Sequence, residues 1–191
     1  MNKIKKLSKI LKYIFYGLLI AYPLFEIIFW LNPVGLFMNG EEAVMPRTGF
    51  MFGFGETASS GTKIFQDLTW SDRIIGFMVQ LIPNLLTIAV LYCLAKLFAL
   101  YEEGKIFVVS SSQYLKKIGF LLLISNLVRP LVFSPLLQLA ITTNNPAKEF
   151  FISVTLGTSD LHDIFMSLLV ILVSWIMTEA CKINEEQKLT V

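Results

Sequence analysis

Two ionisable residues stand inside stretches that are otherwise apolar. Arg129 is set in NLVRPLVFSP and Glu26 in AYPLFEIIFW. A charge in hydrocarbon is costly, so such a group is paired, lines a cavity or acts on a substrate. With a helical rise of about 1.5 Å per residue, Arg129 falls near the middle of its apolar run and Glu26 about 7 Å outward of the middle of its own. An arginine side chain spans that gap if the helices are neighbours, and an Arg129–Glu26 ion pair is expected. Gln80, Asn84 and Thr87 recur at helical spacing and share one face; Ser125, Asn126 and Arg129 share another, and Tyr22 lies one turn before Glu26. Pro23, Pro83, Pro130 and Pro135 each remove a backbone donor and free a carbonyl. Such groups have two uses. They glue helices together, at about 0.6 kcal/mol per bond, or they wall a wet pocket in which Arg129 anchors an anion.

Other candidates for chemistry are few. His162, the one histidine, lies between Asp160 and Asp163. That trio could hold a metal weakly or sense acid, but Ser159 or Asp160 also suits the N-cap of a following helix, and capping is the preferred reading. Cys93 and Cys181 have no ligand-like spacing and read as small buried hydrophobes. There is no HExxH, no nucleophile elbow, no pair of carboxylates in one apolar run and no glycine-rich phosphate loop. Neither an enzyme nor a cofactor nor a metal is expected.

The elements that carry these groups follow from composition. The chain has 191 residues, 55% of them hydrophobic and only 16% charged, with a mean hydropathy of +0.67. A soluble domain carries about 25% charged residues. So apolar a chain is an integral membrane protein in contact with the lipid bilayer, all-α and built as one domain. Its net charge of +2 is too small to imply direct nucleic-acid binding. Four runs reach the roughly 20 residues of a span: 10–31, 74–94, 118–141 and 164–181. The first follows a basic start, MNKIKKLSKILK, as a secretion signal would, but no small-residue cleavage site follows and it reads as a retained helix. Lysines and arginines number eleven in residues 1–12, 95–117 and 182–191 together, against four in the two other connections. Positive charge marks the cytoplasmic side. Both termini and the link 101–117 are therefore expected in the cytoplasm, in a multi-pass protein with a long outer loop, 32–73, between the first two helices.

The link reads YEEGKIFVVSSSQYLKK. Gly104 is a natural helix stop, IFVV should lie flat on the membrane or pack under the helices, and the serines 110–112 offer an N-cap to the next helix. In the tail, CKINEEQKLTV, acids at a helix C-terminus oppose the dipole, so the end could peel off and add as a strand to a partner; a solvated tail is the other reading. Glu103, Gly104, Lys105 and Phe107 of the link, with Glu185, Glu186, Leu189 and Val191 of the tail, are the candidate partner contacts. In the outer loop, TGFMFGFGETASSG alternates Phe50, Phe52 and Phe54, as a lid or as an edge facing lipid or protein, and IFQDLTWSDR suits a short amphipathic helix with Trp70 at the interface.

EGKIF at 103–107, LKKIG at 115–119 and the acidic tail ending in LTV resemble a bacterial family of four-helix membrane proteins, catalogued as domain of unknown function 2975, over roughly the second half of the chain. The resemblance implies a bacterial inner-membrane protein that accompanies a small DNA-binding regulator in the cytosol. One departure is Lys188, which interrupts an otherwise acidic strip. A regulator or interaction protein is the expected function. The alternative is a small transporter or ligand-binding protein using a polar intramembrane cluster of Arg129, Glu26, Asn84, Gln80 and Asn126. A homo-oligomer is open in either case.

Overall fold

Apolar runs flanked by lysine, glutamate and leucine make helices longer than the runs themselves, because straight-chain polar residues continue a helix readily. The computed structural model describes residues 2–31, 70–133, 135, 136, 139 and 158–189. Helix α1 is Asn2–Leu31 and begins within the basic segment rather than at residue 10. Helix α2 is Trp70–Glu102 and keeps Pro83 in its interior. Helix α3, Val109–Val128, passes directly into a π-helical turn, Arg129–Phe133. Helix α4 is Thr158–Leu189. The link 103–108 is the non-helical stretch among the described residues. The loops 32–69 and 140–157, with the three phenylalanines, lie outside them. The amphipathic segment expected over 64–73 is described only from Trp70, where it is already the first turn of α2.

The fold is all-α with four helices, as expected, but the count of spans is lower. Three helices are long and apolar enough to cross a membrane, over Lys3–Ile28, Arg73–Glu102 and Asp160–Glu186. The expected span 118–141 is not among them. Lys116 and Lys117 sit in the second turn of α3, and continuous α-helix ends at Val128. The apolar stretch left between is roughly 16 Å long, about half of the bilayer core. Pro130 has no N–H to give the carbonyl one turn back, and the ladder loosens there into the π turn.

The helices divide into two compact units. The first comprises Met1–Tyr22, Leu85–Asn126 and His162–Val191. Its centre is Val90, Cys93, Leu97 and Ile118, with Tyr101, Tyr114, Leu121 and Val170 packed around them. Buried residues, all small but one isoleucine, recur at heptad spacing on α3 and α4. Ser111, Ile118 and Ser125 lie on one side, Ser167, Ser174 and Cys181 on the other, and all are buried. Small side chains let membrane helices approach closely. At the closest point a Cβ on Gly119 would come within 2.7 Å of the Ile171 Cγ1 and 3.0 Å of its backbone nitrogen. The serines spend their polarity within their own helices. Ser167 donates to the Asp163 carbonyl at 2.8 Å, Ser174 to Ile171 at 2.6 Å and Ser112 to Val109 at 2.9 Å. They act as spacers, and the two cysteines are buried thiols, as their surroundings implied. On the outside, Leu168, Leu172, Val173, Trp175 and Ile176 of α4 stand exposed, a face suited to hydrocarbon.

The second unit comprises Pro23–Asn84 and Leu127–Leu161. Its described part joins the end of α1 to the start of α2 in antiparallel fashion. Trp30 lies directly on Gly76, where no Cβ would fit. Arg73 Nη1 donates to the last carbonyl of α1, Leu31 O, at 3.1 Å, and its guanidinium lies 5.1 Å from the Trp70 ring.

The seam yields a prediction. Gly119→Leu should destabilise the protein by about 1–3 kcal/mol through overpacking. Gly17→Ala, in a helix position with nothing within 4 Å, should leave stability unchanged or raise it by up to about 1 kcal/mol. Thermal unfolding of the two variants in detergent, followed by circular dichroism, measures the contrast.

Candidate functional site

Helical spacing puts Tyr22, Glu26 and Trp30 on one face of α1, and all three are buried. In the second unit Asn84 of α2 reaches Glu26, and Gln80, one turn before it, is buried as well, the two being 8% and 7% exposed. Glu26 is 2% exposed. Both its carboxylate oxygens are enclosed, and neither has a hydrogen-bond partner of ordinary geometry among the described residues. The Asn84 side chain lies close enough to act as a loose hydrogen-bond donor to it. The Arg129 guanidinium, the expected ion-pair partner, attracts the Glu26 carboxylate by charge. Arg129 opens the π turn, where the backbone ladder has already loosened.

Asn126 does not join this cluster. Its Nδ2 donates to the Asp163 carbonyl of α4 at 3.0 Å, in the first unit. It is a tie between helices. Trp30 and Gly76 were not singled out from the sequence. The available signal was an isolated glycine in an apolar helix, which marks a close approach.

The link is held from several sides. Lys105 N–H donates to Leu100 O and Gly104 N–H to Tyr101 O, both at 3.0 Å, closing α2 with the paired bonds of a Schellman motif. Gly104 sits at φ +82°, which suits glycine, and the Lys5 side chain of α1 lies over it. Lys12 of α1 donates to Glu102 at 2.5 Å. Phe15 stacks on Phe98 with centroids 5.4 Å apart. The serines do not N-cap α3, because the helix already begins at Val109. The Ser111 hydroxyl instead shares its proton between the carbonyls of Ile106 and Val108, 2.5 and 2.8 Å away. Glu103 and Lys105 pair at 2.8 Å on the surface, and this hydrogen bond, with the charge behind it, holds the Glu103 carboxyl below the usual range. Phe107 is 58% exposed.

The tail does not peel away as a strand. It continues α4 as helix to Leu189, with Glu185 and Glu186 exposed. Lysine, glutamate and glutamine are good helix formers, and their propensity outweighs the unfavourable dipole. Val191 and the side chain of Leu189 lie outside the described residues.

Residues 53–191 match a family model described as a protein of unknown function, DUF2975. The chain belongs to the DUF2975 family. No curated protein and no solved structure matches it. The match reaches further back than the second half of the chain, taking in all of α2 as well as the link, α3 and α4. Within the cluster, the DUF2975 segment supplies Gln80, Asn84 and Arg129, whereas Glu26 comes from α1, ahead of it. His162 also falls in the DUF2975 segment. Its Nδ1 lies 3.5 Å from Asp163 Oδ1 and both side chains are exposed. No metal-binding group occurs among the described residues. Asp160 lies in the first turn of α4, where an acid suits the helix dipole.

The anchored link yields a prediction for this DUF2975 protein. Lys12→Glu or Glu102→Lys alone should lower the unfolding midpoint in detergent, and the double exchange should restore most of it. A double-mutant cycle of thermal midpoints reads the coupling; additive losses would mean that the contact does not fasten α1 to the link.

Proposed function

We propose that this DUF2975 protein is a non-enzymatic component of the bacterial cytoplasmic membrane that holds a cytosolic partner at its link. The observation that carries this reading is Phe107, a large apolar side chain exposed on a backbone fastened by the Gly104 turn, the Ser111 hydroxyl and the lysines of α1. A side chain displayed on an ordered backbone loses little entropy on binding. Beside the link, α4 offers Ile183 and Glu185 on an exposed helical end. The partner implied by the family resemblance, a small DNA-binding regulator, would present a basic surface to Glu103, Glu185 and Glu186.

In this reading both termini and the link face the cytoplasm, and α3 with its continuation makes a fourth crossing. Supporting it, Lys5 lies at Gly104 and the Tyr101 hydroxyl is 3.9 Å from the Met177 sulfur, so that α1 and α4 both approach the end of α2 that leads into the link. The excess of lysine and arginine in the same segments agrees. Affinity capture from membranes should recover a cytosolic protein with the intact chain and lose most of it with Phe107→Ser or with residues 185–191 removed. Equal recovery by all three would refute the reading.

A second reading, a small transporter or ligand-binding protein working through the polar cluster, is favoured by the enclosed carboxylate of Glu26. On that reading Arg129→Met abolishes solute movement into vesicles while the protein still folds and inserts. Failure of the variant to accumulate would instead assign Arg129 to structure.

A further inference from the structure

The Glu26 carboxylate has both oxygens enclosed, with only a loose approach of the Asn84 amide to serve them. It has two oxygens, four lone-pair sites and no donor of ordinary geometry. Less than 1 Å² of either oxygen is open to water. Among the ligands a carboxylate takes, a metal ion, an ammonium or a water needs room against those oxygens, and a proton does not. Among the described residues, Arg129 is the one charged group that acts on Glu26. Gln80 and Asn84 are neutral amides. Of the other described charged groups of this unit, Arg73 is engaged with Leu31 O and the Trp70 ring, and Asp160 is not among the groups that act on Glu26.

The backbone around the site is also unusual. Pro23 lies three residues before Glu26, Pro83 immediately before Asn84, and Pro130 immediately after Arg129, where α-helix gives way to a π turn. Each polar group of the cluster therefore sits next to a gap in its helix ladder. Such gaps are where a membrane helix can change its bend. Buried acids in this setting serve as proton relays.

We propose that Glu26 is a proton-binding site in the membrane interior, taking up and releasing a proton beside Asn84 and Arg129. The site shares its residues with the second reading above. Its readout is a carboxyl signal and not solute flux, so either can fail without the other. It does not depend on the cytosolic partner.

The test uses the full chain reconstituted in lipid nanodiscs. Infrared difference spectra between acidic and alkaline pH should show a protonated-carboxyl stretching band that disappears in Glu26→Gln and persists, shifted, in Glu26→Asp. A hydrophobic carbodiimide, which reacts with protonated carboxyls in apolar surroundings, should label Glu26, as located by mass spectrometry. That labelling should fall about tenfold per pH unit once the group has titrated. A band unchanged in Glu26→Gln, or carbodiimide adducts confined to other acids at every pH, would overturn the proposal. If Glu26→Gln does not fold, the adduct map on the unaltered protein decides the matter alone.

Discussion

A backbone amide in hydrocarbon has no water to bond, and the described part of this protein is organised by that requirement. Each long apolar run must be helix, because only a helix satisfies its own N–H and C=O groups within one segment. The exceptions are located and repaired. At the end of α2 the Schellman bonds of Gly104 and Lys105 occupy carbonyls that the helix would leave open. At the start of α3 the Ser111 hydroxyl serves the carbonyls of Ile106 and Val108. At Pro130 the ladder shifts to a π turn. The first two repairs lie at the link. The third lies beside Arg129, one of the two groups that act on the buried acid.

Once the backbone is satisfied, polar side chains divide into two kinds. Ser112, Ser167, Ser174 and Thr178 bond to their own helices and behave as compact spacers, so α3 and α4 touch at Gly119 and Ile171. Asn126 ties α3 to the α4 backbone. Glu26 is of the other kind, enclosed and unsatisfied. In a membrane the cost of such a group is not relieved by water, and its retention calls for a use.

Much of this was legible because it depends on local chemistry. Gly104 after two glutamates reads as a helix stop, since glycine alone takes a positive φ cheaply. Apolar length and lysine flanks mark the helices. What escaped reading depends on which helix lies beside which. Nothing in KKLSKILK says that Lys12 will meet Glu102, or that Lys5 will cover Gly104. Nor does an ideal helix face say that Asn126 will bond the Asp163 carbonyl of α4. The serines looked like caps because α3 was expected to begin after them; the carbonyl of Val108 opens it earlier. The third run, 118–141, differs from the other three because Pro130 interrupts regular α-helix inside it, which an apolar count does not register.

The pairing of α1 with α2 also bears on biogenesis. The residues that Lys5, Lys12 and Phe15 grip, from Phe98 to Gly104, are translated some seventy residues after α1 itself is complete. At a ribosomal pace of 5–20 residues per second that interval is roughly 4–14 s. For that time Lys5, Lys12 and Phe15 lack these contacts, and the translocon or surrounding lipid must shelter them until the hairpin can close.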